Sequence, residues 1–235
     1  MRAAAGSLAE RLRLLFRGPR PLSETAASPT PPRRTPGRGD KEIVTTRQSR
    51  GLEQFFSYIR DQAGLRILDL GGASQANVSF ITNLGHKLYS VDLLRSMEET
   101  FGGEDPTDQS NAGQIDYLMR QNLEYPDETF DGVLVWDTLE YMAPALLSAT
   151  LDRLHRITRP QSYMLAFFHS DERAASVPYY NFRIQEFNAL QVSQRGSRKP
   201  VQLFNNRTLE KLFQRFDSVK FFLTKESLRE VIVKR

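Results

Sequence analysis

The stretch Arg66-Ile67-Leu68-Asp69-Leu70-Gly71-Gly72-Ala73-Ser74 constrains the fold of this chain more than any other. An apolar run of strand length gives way to small residues, and helical material (QANVSFITNLG) follows at once. At the carboxyl end of a buried strand, such a turn lets backbone amides and a helix N-terminus approach an anionic or polar ligand. Gly71, Gly72, Ala73 and Ser74 supply the small residues. The next strand, KLYSVD, ends on Asp92, 23 positions after Asp69. An acidic side chain there is placed to accept hydrogen bonds from ribose hydroxyls, or to cap the helix that follows.

The rest of the chain keeps the alternation. Leu52, Phe55, Phe56 and Ile59 have helical spacing and predict a helix ahead of the first strand, with the body starting near Arg47. LLRSMEETF reads as a helix, residues 102–113 as a loop, and IDYLMRQNL as either a third strand or a helix. FDGVLVWD is a strand, a helix runs from about Pro144 to Thr158, and SYMLAFFHS is a fifth strand. After a long connection come a helix, RTLEKLFQRF, and two strands, VKFFLT and REVIVKR, that predict an antiparallel hairpin. Strand-helix alternation of this kind predicts a doubly wound α/β fold with a mostly parallel, Rossmann-like sheet.

Charge is unevenly placed. The net charge is +4, but residues 1–50 carry +7 and the remaining 185 residues carry −3. The body is therefore slightly acidic, and no nucleic-acid module is recognisable in it. Three segments follow: a basic amphipathic helix at 1–17, a Pro-rich disordered linker at 18–46 and a folded domain at 47–235. In the first, Leu8, Leu12, Leu15 and Phe16 share a face with arginines around it. It reads as a frayed terminal helix or as a peripheral contact with an anionic membrane or a protein. Six of the twelve prolines fall between residues 18 and 40. The absence of cysteine removes disulfides and thiolate chemistry, and three scattered histidines argue against a protein-built zinc site, so no metal is expected. No apolar run reaches the length of a membrane span, and a cytoplasmic location is expected.

Asp69-Leu70-Gly71-Gly72-Ala73-Ser74-Gln75, the interval to Asp92 and the later FDGVLVWDTLEYM together resemble the class I S-adenosylmethionine-dependent methyltransferases, in their small-molecule, type 11-like branch. The resemblance covers about residues 47–170. It implies methyl transfer from S-adenosyl-L-methionine to a small or medium-sized acceptor. It also implies that Gly71, Gly72 and Ala73 hold the methionine part of the cofactor, Asp92 the ribose diol, Leu93 one adenine face, and Asn122 with Leu123 the adenine edge. Asp69 would orient the loop and the ammonium group, and Asp137 would lie beside that group or the substrate. Ala73 and Gln75 replace two glycines of the family pattern, and Tyr141 stands where the family often has histidine.

In-line displacement asks mainly for proximity, and a base is needed only if the acceptor must lose a proton. Asp137, Glu140 and His169 are the candidates at strand ends; each also has a structural reading, as a cap or a hydrogen-bonded core residue. Tyr179, Tyr180, Phe182 and Phe187 read as an aromatic lid or as ordinary packing. Arg195, Arg198 and Lys199 read as a solvated loop or as a site for an anionic substrate. Two other functions stay open: a noncatalytic binding or scaffold protein on the same fold, and an NAD-dependent oxidoreductase, because Gly71-x-Ala73-x-x-Ala76 is a degraded dinucleotide fingerprint.

Overall fold

The computed structural model describes residues 44–102, 108–222 and 227–235. The helix expected at 1–17, and the linker as far as residue 43, lie outside the described residues. The rest belongs to the compact unit Asp40–Arg235.

A six-stranded sheet carries the fold. It contains β2 (Arg66–Asp69), β3 (Lys87–Ser90), β4 (Phe130–Trp136), β5 (Thr158–His169), β8 (Ser218–Phe222) and β9 (Leu228–Lys234), in the order β3-β2-β4-β5-β9-β8. The first four strands are parallel. β9 runs antiparallel to both β5 and β8, so the expected C-terminal hairpin is present. IDYLMRQNL forms no third strand. It lies in a helix, Ala112–Leu123, because Ile115, Leu118, Met119 and Leu123 fall on one helical face and are buried there.

Buried strands alternate between two cores. Leu68, Val133, Val135, Met164 and Ala166 face one, and Ile67, Leu134, Trp136, Leu165 and Phe167 face the other. Helices α1 (Arg50–Ile59) and α2 (Gln75–Asn83) contribute to the second core. The first is covered by α3 (Leu93–Phe101), α4 (Ala112–Leu123) and α5 (Pro144–Ile157), with α6 (Asn206–Leu212) beside them.

The long connection after β5 is itself a hairpin, of β6 (Val177–Glu186) and β7 (Ala189–Arg198). Its other edge takes β1 (Val44–Gln48), giving a separate sheet of order β1-β7-β6. Val44 to Thr46, expected at the end of the linker, thus lie in a strand. Arg47 of that strand pairs with the buried Glu230 at 3.1 Å, and Glu230 also accepts from Ser49 Oγ at 3.0 Å and Gly51 N at 2.6 Å at the start of α1. A buried carboxylate with a guanidinium and two further donors fixes β1 against β9.

Candidate functional site

Four backbone hydrogen bonds shape the turn after β2. Leu70 N donates to Leu134 O at 2.9 Å, Val91 N to Asp69 O at 2.8 Å, Gly72 N to Val91 O at 3.1 Å and Leu93 N to Leu70 O at 3.2 Å. Gly71 and Asp92 are thereby bridged. Within this turn a positive φ falls at Gly72 (+85°) and not at Ala73 or Gln75. A Cβ on Gly72 would also come within 3.1 Å of Asp92 Cβ. Ala73 and Gln75 therefore stand where an ordinary side chain fits, and Gln75 opens α2.

Asp69 is fully buried, and its carboxylate is used within the protein. Gly71 N (2.9 Å) and the Trp136 indole (2.6 Å) donate to one oxygen, and Asn77 Nδ2 (3.0 Å) to the other. Burial pushes its pKa up while these donors oppose the rise. Trp136, at the end of β4, has φ +58°, a conformation rare for a bulky residue. Its indole packs so closely over the turn that a Cβ on Gly71 would lie 2.6 Å from Cδ1.

Above this turn is a cleft of about 400 Å³. It is lined by the loop from Leu70 to Ala76, by Asp92 and Leu94 after β3, by Trp136 and Asp137 at the end of β4, and by β6 residues Tyr179 to Arg183. Ser74, the N-cap of α2, makes no side-chain capping bond, so the first amides of that helix are left for a ligand or water. Asp92 caps α3 by accepting from Arg95 N at 3.1 Å and also lines the cleft. Asp137 is buried, and Tyr180 N reaches its Oδ2 at 3.3 Å. Burial raises its pKa to about 7.

Other expected site residues lie elsewhere. Leu93 and Leu123 are fully buried in the first core. Asn122 accepts from Ser96 Oγ at 2.7 Å and donates to Leu118 O at 2.9 Å, which ties α4 to α3. Glu140 and His169 bind one another away from the cleft: Glu140 accepts from His169 N at 2.9 Å and meets Nδ1 at 2.5 Å. His169 Nε2 lies 3.0 Å from the carbonyl of Pro178. A carbonyl only accepts, so Nε2 carries its hydrogen and the remaining proton lies between Nδ1 and Glu140. Burial alone would lower the His169 pKa, but the Glu140 carboxyl outweighs it and holds the value up. This pair fastens β6 to the end of β5.

Leu94, Asn181 and Arg183, which the sequence did not single out, line the cleft, as does Arg195, one of the three cations read as a solvated loop or an anion site. Phe182, read from the sequence as lid or packing, is packed: its ring stacks on Trp136 at 5.0 Å and 4°, and it lines the cleft. Asn77 links the lid to the turn, donating to Asp69 and to Phe182 O (3.2 Å) and accepting from Ile184 N (2.8 Å).

Residues 41–218 match the methyltransferase domain family. Similar solved structures include the 1,6-didemethyltoxoflavin-N1-methyltransferase of Burkholderia thailandensis, solved with 1,6-didemethyltoxoflavin and S-adenosylhomocysteine bound. It shares 14% identity over 79% of this chain and 76% of that one, with a TM-score of 0.44. A SAM-dependent methyltransferase from Archaeoglobus fulgidus shares 18% identity over 78% and 92% of the two chains, with a TM-score of 0.45. A type 11 methyltransferase, so described, from Sulfolobus solfataricus shares 14% over 80% and 94%, with a TM-score of 0.44. No curated protein matches the chain. With most of its length matched, the chain belongs to the methyltransferase domain family, the S-adenosylmethionine-dependent class that its loop and strand-end motifs resemble.

Proposed function

We propose that the cleft above the Gly71–Gly72 turn holds S-adenosylmethionine and that the chain methylates a small-molecule acceptor. The observation that carries this reading is one cleft lined by the turn, the start of α2 and two carboxyl groups, Asp92 and Asp137, which follow β3 and β4 on either side of β2. The residues present fit the cofactor's charges. Asp92 accepts from the ribose hydroxyls with the oxygen that does not cap α3. Amides at the start of α2 face the cofactor's carboxylate. Asp137, with its raised pKa and one backbone donor, faces the ammonium group, and a cation there favours its ionised form.

The cofactor supplies a sulfonium-bound methyl group that an acceptor displaces in line. The chain positions and encloses. Phe182 and Tyr180, held by Trp136, Asn77 and Asp137, exclude water from one side. Of the three candidate bases, Asp137 lines the cleft, whereas Glu140 and His169 serve the lid strand. The adenine falls to Leu94 rather than Leu93 on this reading, because Leu94 is the residue at the cleft. We place the protein in the cytoplasm, with the basic N-terminal segment as a peripheral contact; among the described residues no helix is long and apolar enough to cross a membrane.

Calorimetric titration with S-adenosylhomocysteine tests the reading, and Trp136, the only tryptophan, gives an independent fluorescence signal from the cleft wall. Binding is expected, and Asp92→Ala should weaken it by about 1.5–3 kcal/mol through loss of charge-assisted hydrogen bonds. Absence of heat with both S-adenosylhomocysteine and S-adenosylmethionine overturns the proposal, and heat with NAD instead points to the oxidoreductase.

A further inference from the structure

A second cavity, of about 420 Å³, adjoins the cleft and shares Leu94 and Tyr179 with it as common wall. The cofactor's charges do not account for it. Its apolar lining comes from Leu94 and Met97 on α3 and from Val201, its rings from Tyr141 and Tyr179, and its charges from Glu98, Arg198 and Lys199.

Three features indicate a ligand. Tyr141 is 5% exposed and its hydroxyl is buried with no hydrogen-bond partner. A buried hydroxyl in that state costs free energy until a water or a ligand pairs with it, and a ligand that displaces the water must offer it an oxygen. Tyr141 is also held in place: Gln109 donates to its carbonyl at 3.0 Å and accepts from Ala143 N at 2.6 Å, which uses both ends of the Gln109 carboxamide. Burial raises the phenol's pKa, so it remains a neutral donor at physiological pH.

The charges are directional as well. Arg198 lies over the Tyr179 ring at 4.4 Å and pairs with Glu98, which leaves Lys199, exposed at the rim, as the surplus positive charge. Tyrosine rings, a thioether and aliphatic side chains suit a flat apolar body. One surplus cation suits one anionic group.

We propose that this second cavity binds a planar aromatic carboxylate bearing a further polar oxygen, with Tyr141 hydrogen-bonded to the oxygen and Lys199 facing the carboxylate, and that it is the acceptor pocket of the enzyme. The acceptor role rests on methyl transfer in the adjoining cleft. The binding does not.

The probe is 6-hydroxy-2-naphthoate, titrated calorimetrically into the full chain with and without saturating S-adenosylhomocysteine, with the uncharged 6-hydroxy-2-naphthamide as comparison. The carboxylate is expected to bind, the amide more weakly. Tyr141→Phe, which keeps the ring and removes the unpaired hydroxyl, should weaken carboxylate binding about tenfold. Lys199→Ala, on the surface and harmless to folding, should weaken it severalfold and flatten its salt dependence. If S-adenosylhomocysteine binds and the naphthoate does not, or if neither substitution changes its affinity, this assignment is overturned while the methyl-transfer reading stands. Naphthoate binding that responds to both substitutions, in a protein that ignores S-adenosylhomocysteine, upholds the site and removes the methyl-transfer reading.

Discussion

Asp137→Asn should make the protein more stable, and more so in alkali than in acid. A carboxyl whose pKa rises from 3.8 unfolded to about 7 folded is a proton-linked liability of the native state. Below 3.8 both states hold the proton and the group is silent. Between the two values the native state keeps a proton that the unfolded chain has released, so stability falls by about 1.4 kcal/mol per pH unit as pH rises. Above about 7 the full cost is present. The cost works out at about 1.6 kcal/mol at about pH 5 and about 4 kcal/mol at about pH 8. Asparagine removes the ionisation and keeps an oxygen for the Tyr180 amide, now 3.3 Å from Asp137 Oδ2. Asp137 also raises the His169 pKa, so the variant loses that smaller contribution as well. Urea unfolding of wild type and variant at the two pH values should therefore show a stabilisation that is larger at about pH 8 by about 2–3 kcal/mol. Equal effects at the two pH values, within about 0.5 kcal/mol, would refute the claim that Asp137 is forced to ionise in a buried setting.

Two further substitutions test how the site is held. Phe182→Ala removes the ring stacked 5.0 Å from Trp136 and should cost about 3–5 kcal/mol of stability, with a red shift of tryptophan emission as the indole meets water; a loss below about 1 kcal/mol would show that the stack does not hold the lid strand. Gly71→Ala places a Cβ within 2.6 Å of the Trp136 ring, so the indole must move off Asp69. It should destabilise by about 1–3 kcal/mol and weaken S-adenosylhomocysteine binding, and an unchanged emission spectrum would contradict the close approach.

The parallel sheet was legible because its strands are buried on both faces and separated by helices with clean periodicity; RILD and FDGVLVW need no partner to be recognised. β1 was illegible for the opposite reason. VTTRQ is short and polar, and what makes it a strand is β7, with Thr45 pairing Val192 far along the chain. The β6–β7 hairpin hid behind a run of half-buried residues, Pro178 to Asn181, that blurs the period of two. Within the site the glycine turn, Asp92 and Asp137 were legible from strand ends. Leu93 and Leu94 differ in placement because one residue along a helix turns the side chain by about 100°. α3 points Leu93 into the core and Leu94 to the cleft.

Asp69 and Asp137 are both buried acids at strand ends, yet their surroundings assign them opposite tasks. Asp69 receives three donors from Gly71, Trp136 and Asn77, so a ligand has no lone pair of equal value left to take, and removing it would loosen turn, indole and lid together. Asp137 receives the Tyr180 amide at 3.3 Å, and although His169 also favours its charge, burial prevails and raises its pKa to about 7. Such a group is costly in the empty fold and becomes favourable when a cation arrives, because the cation supplies the stabilisation that the protein withholds. The acid in the signature turn is thus consumed in holding turn, indole and β6 together, and on the proposed reading the acid at the end of β4, whose charge the fold resists, is the one that meets the cofactor.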